Sequence, residues 1–383
     1  MKPALAIVCT LSLIAFAVPA AAQQNMYGSQ SGPPPISAPM VIPGNQGGGG
    51  TTLELPSSGI VHQNQQNVPP PQPPQQDLTI PTRQLRNQPG YQQVTVTVTQ
   101  PDGAYLTDLQ KQDFTLYMDG QQRPIQFFRQ DLNTPVSIGI LVDTSGSMEP
   151  KLPQARTAIR EFLANLNDRD DVFLIAFSGR PFILQNFTED HALLASRLGL
   201  LHAFGSTSLY DAVVTGMVML QRGRYDKRAL LVITDGMDNT STHSLDDVVA
   251  LARRQGVLIY SIGIGNPNAS PIGLSIGPFS FGGDADQVDV RTLRMLSTET
   301  GAKTYNVQVV GDGNALRADC SQISRELRQQ YTVGFLAPDP SAGGYRSLRV
   351  DVPTHPGVDV RVRKGVDVGS RSPEGSAYAG SPY

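Results

Sequence analysis

The chain has 383 residues, with 30 Lys and Arg against 33 Asp and Glu, a formal net charge of -3 and two cysteines. A slightly acidic balance gives no electrostatic footprint for nucleic-acid binding, and so few thiols exclude a disulfide-stapled scaffold. Length alone suggests roughly two folded domains.

Lys2 precedes an apolar segment, residues 4–18, followed by Pro19-Ala20-Ala21-Ala22. A basic start, a short apolar core and small residues at a cleavage position describe a secretory signal over residues 1–22, cut after Ala22. An uncleaved membrane anchor is the competing reading. No later segment approaches spanning length, so no membrane span is expected once the signal is removed. The protein is then exported, remaining in the periplasm or reaching the cell surface or the medium. Cys9 lies inside the signal, which leaves Cys320 as the one thiol of the mature chain. Cys320 shares a helical stripe with Leu316, Ile323 and Leu327, a pattern that predicts buried packing rather than reactivity.

Residues 23–90 are Gln, Pro, Gly and Ser with almost no charge, a composition that cannot supply a packed core and reads as a disordered linker. At Val94, Val96 and Val98 the pattern changes to a period-two strand. Strand-like runs follow at 114–118 and 125–128, separated by the tight-turn pair Asp119-Gly120. Such strands need a second layer, and residues 331–336, 347–352 and 358–362 offer one. The two sets, within 91–132 and 331–367, are expected to form a small β-sandwich into which everything between is inserted; residues 368–383 read as a flexible tail.

The middle, residues 134–330, contains four continuous apolar runs at 136–142, 172–177, 230–233 and 257–264. Continuous rather than alternating apolar strands imply burial on both faces, as in a parallel sheet covered by helices. Amphipathic patterns separate them. One carries Leu152, Ala155, Ile159, Phe162, Leu163 and Leu166, and a second Leu209, Ala212, Val213, Met217 and Leu220. A third, with Leu245, Val248, Val249 and Ala252, is opened by Ser244 with Asp247 and stopped by Gly256. This alternation predicts an α/β, doubly wound, mostly parallel sheet, which binds ligands outside the carboxyl ends of its strands. Residues 265–287 read as a long loop rich in Gly, Pro and Ser.

Three segments reach that carboxyl edge. The first apolar run ends on Asp143, with Ser145 and Ser147 at every second position after it. Thr207 stands just ahead of a predicted helix, and the third run ends on Asp235-Gly236. Oxygen ligands of this kind suit a hard divalent cation. The plainer readings are helix caps for the hydroxyls and an ordinary turn for Asp235-Gly236.

The pattern Asp143-x-Ser145-x-Ser147, Thr207, Asp235-Gly236 resembles the metal-ion-dependent adhesion site of von Willebrand factor A domains, and the middle of the chain resembles that family in its order of elements. The outer strands, especially Asp113-Phe114-Thr115-Leu116-Tyr117-Met118-Asp119-Gly120, resemble the bacterial "VWFA-related" family of exported proteins. One departure is Ser206, where many relatives carry Gly. The resemblance implies that Ser145, Ser147 and Thr207 contact a metal, directly or when the site closes, while Asp143 and Asp235 often act through water. It implies Mg²⁺, with Mn²⁺ as a substitute, and a partner protein whose Asp or Glu carboxylate fills an open position. Two carboxylates against a dication make the loaded site neutral by this count.

An enzyme is not expected. A metal-assisted hydrolase needs a general base, and His202 and His243 lack the spacing of metal ligands. There is no G-x-S-x-G elbow and no phosphate loop, and Gly263-Ile264-Gly265 lacks a third glycine. Asn239-Thr240-Ser241 matches a glycosylation sequon too short to assign a role. A structural module whose metal only staples loops is the remaining alternative.

Overall fold

The structure is a computed structural model and describes residues 83–235, 238–265, 274–276, 279–281, 288–307, 313–339, 341 and 343–368. The predicted signal, most of the linker, the tail and Gly236 lie outside these residues. In chain order, α1 (Arg83–Arg86) precedes β1 (Tyr91–Thr99), β2 (Thr115–Met118), β3 (Gln121–Arg123) and β4 (Ile125–Gln130). The middle then runs β5 (Ser137–Asp143), α2 (Leu152–Ala164), β6 (Asp171–Phe177), β7 (Pro181–Thr188), α3 (His191–Arg197), α4 (Leu209–Leu220) and β8 (Arg228–Thr234). It continues with α5 (Leu245–Gln255), β9 (Leu258–Ile264), β10 (Leu274–Ile276), β11 (Phe279–Phe281), α6 (Val290–Thr300), β12 (Thr304–Val307) and α7 (Gly313–Glu326). Last come β13 (Tyr331–Leu336), β14 (Gly344–Asp351), β15 (Asp359–Arg361) and β16 (Gly365–Val368).

The four continuous apolar runs become β5, β6, β8 and β9, and they lie within one sheet ordered β12-β9-β8-β5-β6-β7. All its neighbours are parallel except β6 and β7. Both faces are covered, as continuous apolar strands require. Ile138, Ile140 and Val142 pack with Ile159 and Phe162 of α2 and with Leu316, Cys320 and Ile323 of α7. On the other face Leu141, Phe173, Leu230 and Val232 pack with α4, α5 and α6. Gly139 is required by a close approach, since a Cβ there would lie 2.3 Å from Phe173 Cζ. Helix α5 starts on the reciprocal Ser244–Asp247 capping box and ends on Gly256 at φ 64°.

Strands from both ends of the described chain share two antiparallel sheets, ordered β15-β1-β13-β4 and β16-β14-β2-β3. Val94, Val96 and Val98 of β1, Leu116 and Met118 of β2, Val333 and Phe335 of β13, and Leu348 and Val350 of β14 form one core between them. This is the expected β-sandwich with the α/β sheet inserted between its halves. The Asp119-Gly120 turn has φ of 51° and 75°, the double positive φ of a two-residue hairpin. Entry and exit of the insert lie side by side, with Asp131 N donating to Gln330 O at 2.8 Å.

Several elements depart from the expected set. β7, β12, α3 and α6 join the α/β layer, and β3 and β16 extend the sandwich sheets. The antiparallel pair β10–β11 lies inside the stretch expected to be a structureless loop, and α1 inside the expected linker. Cys320 is buried against Leu316 and Ile323, and burial pushes its thiol well above the usual range. Among the described residues no helix is long and apolar enough to cross a membrane.

Candidate functional site

β5 is buried along its whole length and delivers Asp143 at its carboxyl end. Thr144 closes the strand by donating its N–H, at 2.7 Å, and its hydroxyl, at 3.0 Å, to Phe177 O. The chain then folds back, with Ser145 N donating to Asp143 Oδ1 at 2.8 Å, the local aspartate turn that ends a strand abruptly. A single 3₁₀ turn, Gly146–Met148, follows; Met148 is buried beneath it, while Ser147 is exposed.

The β8–β5 pairing brings Asp235, one residue past β8, beside this turn. Ser145 Oγ and Ser147 Oγ lie 3.2 Å apart, and Ser147 Oγ donates to Asp235 Oδ1 at 3.0 Å. Thr234, the last residue of β8, donates its hydroxyl to Asp143 Oδ2 at 2.5 Å. Asp143, Ser145, Ser147 and Asp235 are therefore joined through hydrogen bonds.

Thr207 reaches the same edge by a different route. It is buried just ahead of α4, and its N–H donates to Asn239 Oδ1 at 2.9 Å. Its carbonyl accepts from Asn239 N at 3.0 Å and Thr240 N at 3.2 Å. Its loop is tied to the serine turn as well: Gly146 N donates to Gly205 O at 3.1 Å and Phe204 N to Thr144 O at 2.8 Å.

None of the hydroxyls serves as a helix cap. The N-cap of α2 is Lys151 and that of α4 is Ser208, neither with a side-chain capping bond. The start of α4 is capped instead from the segment after β8. Asp238 Oδ1 accepts from Tyr210 N at 3.2 Å, and Ser241 Oγ accepts from Asp211 N at 3.0 Å. Asp211 in turn accepts from His243 N at 3.0 Å and from His243 Nδ1 at 2.7 Å. Burial opposes ionisation of Asp211, but these hydrogen bonds hold its carboxyl below the usual range. His243 is thus engaged in fixing a loop, and His202 places Nδ1 2.8 Å from Leu200 O.

The electrostatics contain a group that motif reading missed. Lys151, only 4% exposed, places Nζ 2.7 Å from Asp235 Oδ2. The faint signal for it is a lysine where a helix begins, since a cation there opposes the helix dipole. Among the described residues, Asp143, Asp235 and Lys151 together carry a formal charge of -1. The two carboxylates counted from sequence are thus joined by a cation that the motif did not contain. Burial, with a smaller contribution from the charge of Asp235, pushes the Asp143 carboxyl up to about 6 despite the bonds from Thr234 and Ser145.

Among the described residues no group of three or more His, Cys, Asp or Glu could hold a metal. A metal here would depend on the hydroxyls, and the donor set, two carboxylates and three hydroxyls, has the all-oxygen chemistry of a hard divalent cation.

Comparison with known proteins bears on the domain that carries this edge. The sequence model of the von Willebrand factor type A domain matches residues 137–318. An uncharacterized protein of Borreliella burgdorferi is 27% identical over 188 residues, covering 46% of this chain and 55% of that protein. Inter-alpha-trypsin inhibitor heavy chain H4 of Sus scrofa is 29% identical over 113 residues, covering 27% of this chain and 12% of that one. The chain thus spans about half of the first relative's length and a smaller part of the second's. A solved structure, von Willebrand factor type A from Catenulispora acidiphila, aligns at TM-score 0.43 and 11% identity over 73% of each chain. Residues 137–318, from the first residue of β5 into α7, are a von Willebrand factor type A domain.

Proposed function

We propose that this chain is an exported, non-enzymatic adhesion or scaffold protein whose type A domain captures an Asp or Glu side chain of another protein through a divalent cation. The observation that carries the reading is the meeting of separate chain segments at one sheet edge. Asp143, Ser145 and Ser147 follow β5, Asp235 follows β8, and Thr207 is tied to the serine turn through the Gly205–Gly146 bond. Asp143 and Asp235 supply the negative charge that draws the cation, and Ser145, Ser147 and Thr207 supply neutral oxygen donors. Bound there, Mg²⁺ or Mn²⁺ supplies a positive charge with an exchangeable position for a partner's carboxylate.

Capture is favoured over a metal that only staples loops. Hydrogen bonds within the protein, Ser147–Asp235, Lys151–Asp235 and Gly146–Gly205, already tie the loops to one another. A hydrolase is disfavoured because His243, a base candidate, is committed to Asp211.

Thermal and urea unfolding of the purified chain in EDTA or in excess Mg²⁺, with Asp143→Ala alongside, tests the reading. A cation at about a hundred times its dissociation constant stabilises by about 2.7 kcal/mol, and this gain is expected in the wild type and absent in the variant. Equal stability of the wild type with EDTA and with Mg²⁺ overturns it.

A further inference from the structure

Lys151 stands where ordinary folding rules would not place it. It is buried, it occupies the N-cap of α2 without capping the helix, and its charge opposes the helix dipole. Burying an ammonium is unfavourable unless a counter-charge compensates it, and Asp235 at 2.7 Å does so with a carboxylate that is itself only 1% exposed. Pairs with both partners this deeply buried are few among the described residues, and this one lies in the middle of the proposed site.

We infer that Lys151 is a specificity-determining residue: its fixed charge weakens cation binding on its own and makes the loaded site demand an external carboxylate. The inference rests on the divalent-cation reading above. Asp143, Asp235 and Lys151 sum to -1, a dication raises this to +1, and one partner carboxylate returns it to zero. Without Lys151 the loaded site is already neutral and an added carboxylate makes it negative. A like charge held this close also repels the incoming cation in a poorly screened environment. Lys151 holds Asp235 Oδ2 while Ser147 holds Oδ1, so both oxygens of this carboxylate are oriented by protein donors.

The test is calorimetric titration of Mg²⁺ into the purified full chain, with and without acetate as the carboxylate probe, comparing wild type, K151M and K151R. K151M is expected to bind Mg²⁺ about ten-fold or more tighter than wild type in the absence of acetate. Acetate should tighten Mg²⁺ binding to wild type and K151R but not to K151M. The melting temperature of K151M should fall in EDTA and recover with Mg²⁺, whereas a purely structural role predicts the same deficit in both conditions. Should K151M fail to fold, K151Q keeps a donor for Asp235 without the charge and carries the same comparison. Equal Mg²⁺ affinity and equal acetate response in wild type and the uncharged variant overturn the inference while leaving the cation reading intact. No Mg²⁺ binding to any of the proteins, with or without acetate, removes both.

Discussion

Strand β8 is bracketed by two buried lysine–aspartate pairs that differ in how completely they are satisfied. At its amino end Lys227 meets Asp131 at 3.0 Å; at its carboxyl end Asp235 meets Lys151 at 2.7 Å. Asp131 Oδ1 also accepts from Arg129 Nε at 2.7 Å and Oδ2 from Thr332 Oγ1 at 2.8 Å, while Lys227 Nζ also donates to Leu327 O at 2.8 Å. Burial alone would raise the Asp131 carboxyl, but Lys227 and Arg129 overcome it and hold it below the usual range. This junction ties both halves of the sandwich, through Arg129 and Thr332, to the base of the inserted domain. Nearby, Glu326 accepts from Tyr260 OH at 2.8 Å, Tyr105 OH at 2.9 Å and Arg361 Nη2 at 2.6 Å, and Arg328 pairs with Asp170. At the other end Lys151 Nζ donates to Asp235 Oδ2, and Ser147, exposed, donates to Oδ1. The same pair chemistry makes a closed joint where Asp131 and Lys227 sit among further partners, and borders an exposed hydroxyl where Asp235 meets Lys151.

The largest expected effect breaks the closed joint. Asp131→Ala leaves Lys227 buried with only a carbonyl and should cost about 3–5 kcal/mol in urea unfolding. That loss should be the same in EDTA and in Mg²⁺, which separates the junction from the site. Acidification comes next. Because the folded-state pKa of Asp131 is depressed, its contribution is present above the usual aspartate value, about 3.9, and is lost as pH falls through the folded value. Unfolding free energy should therefore drop as pH is lowered below about 4, and the drop attributable to this group should be missing from D131N. The smallest effect sharpens the other side. Asn239→Ala removes the acceptor for Thr207 N and should cost about 1 kcal/mol, while weakening Mg²⁺ affinity measured by calorimetry.

Much of the architecture was legible because it rests on local periodicity. Continuous apolar runs ending in Asp143 and Asp235 announced buried parallel strands and the edge at which they present ligands, and Ser244, Asp247 and Gly256 bounded a helix correctly. β7 escaped that reading because it is a half-buried edge strand beginning at Pro181, and β12 because it has only four residues. The candidate ligands Asp143, Ser145, Ser147 and Asp235 were visible as a motif and are joined in space, with Thr207 tied to them through the backbone.

What the sequence determined by itself was the strand and helix pattern and the sheet edge at which Asp143 and Asp235 emerge, since each follows from side-chain spacing along a single element. Tertiary structure alone decided the charge of the site. Lys151 and Asp235 are 84 residues apart, and nothing in the periodicity around either one reports the other. Their meeting depends on β8 lying next to β5 in the sheet, and on the absence of solvent between them, which makes one ammonium count as much as one carboxylate.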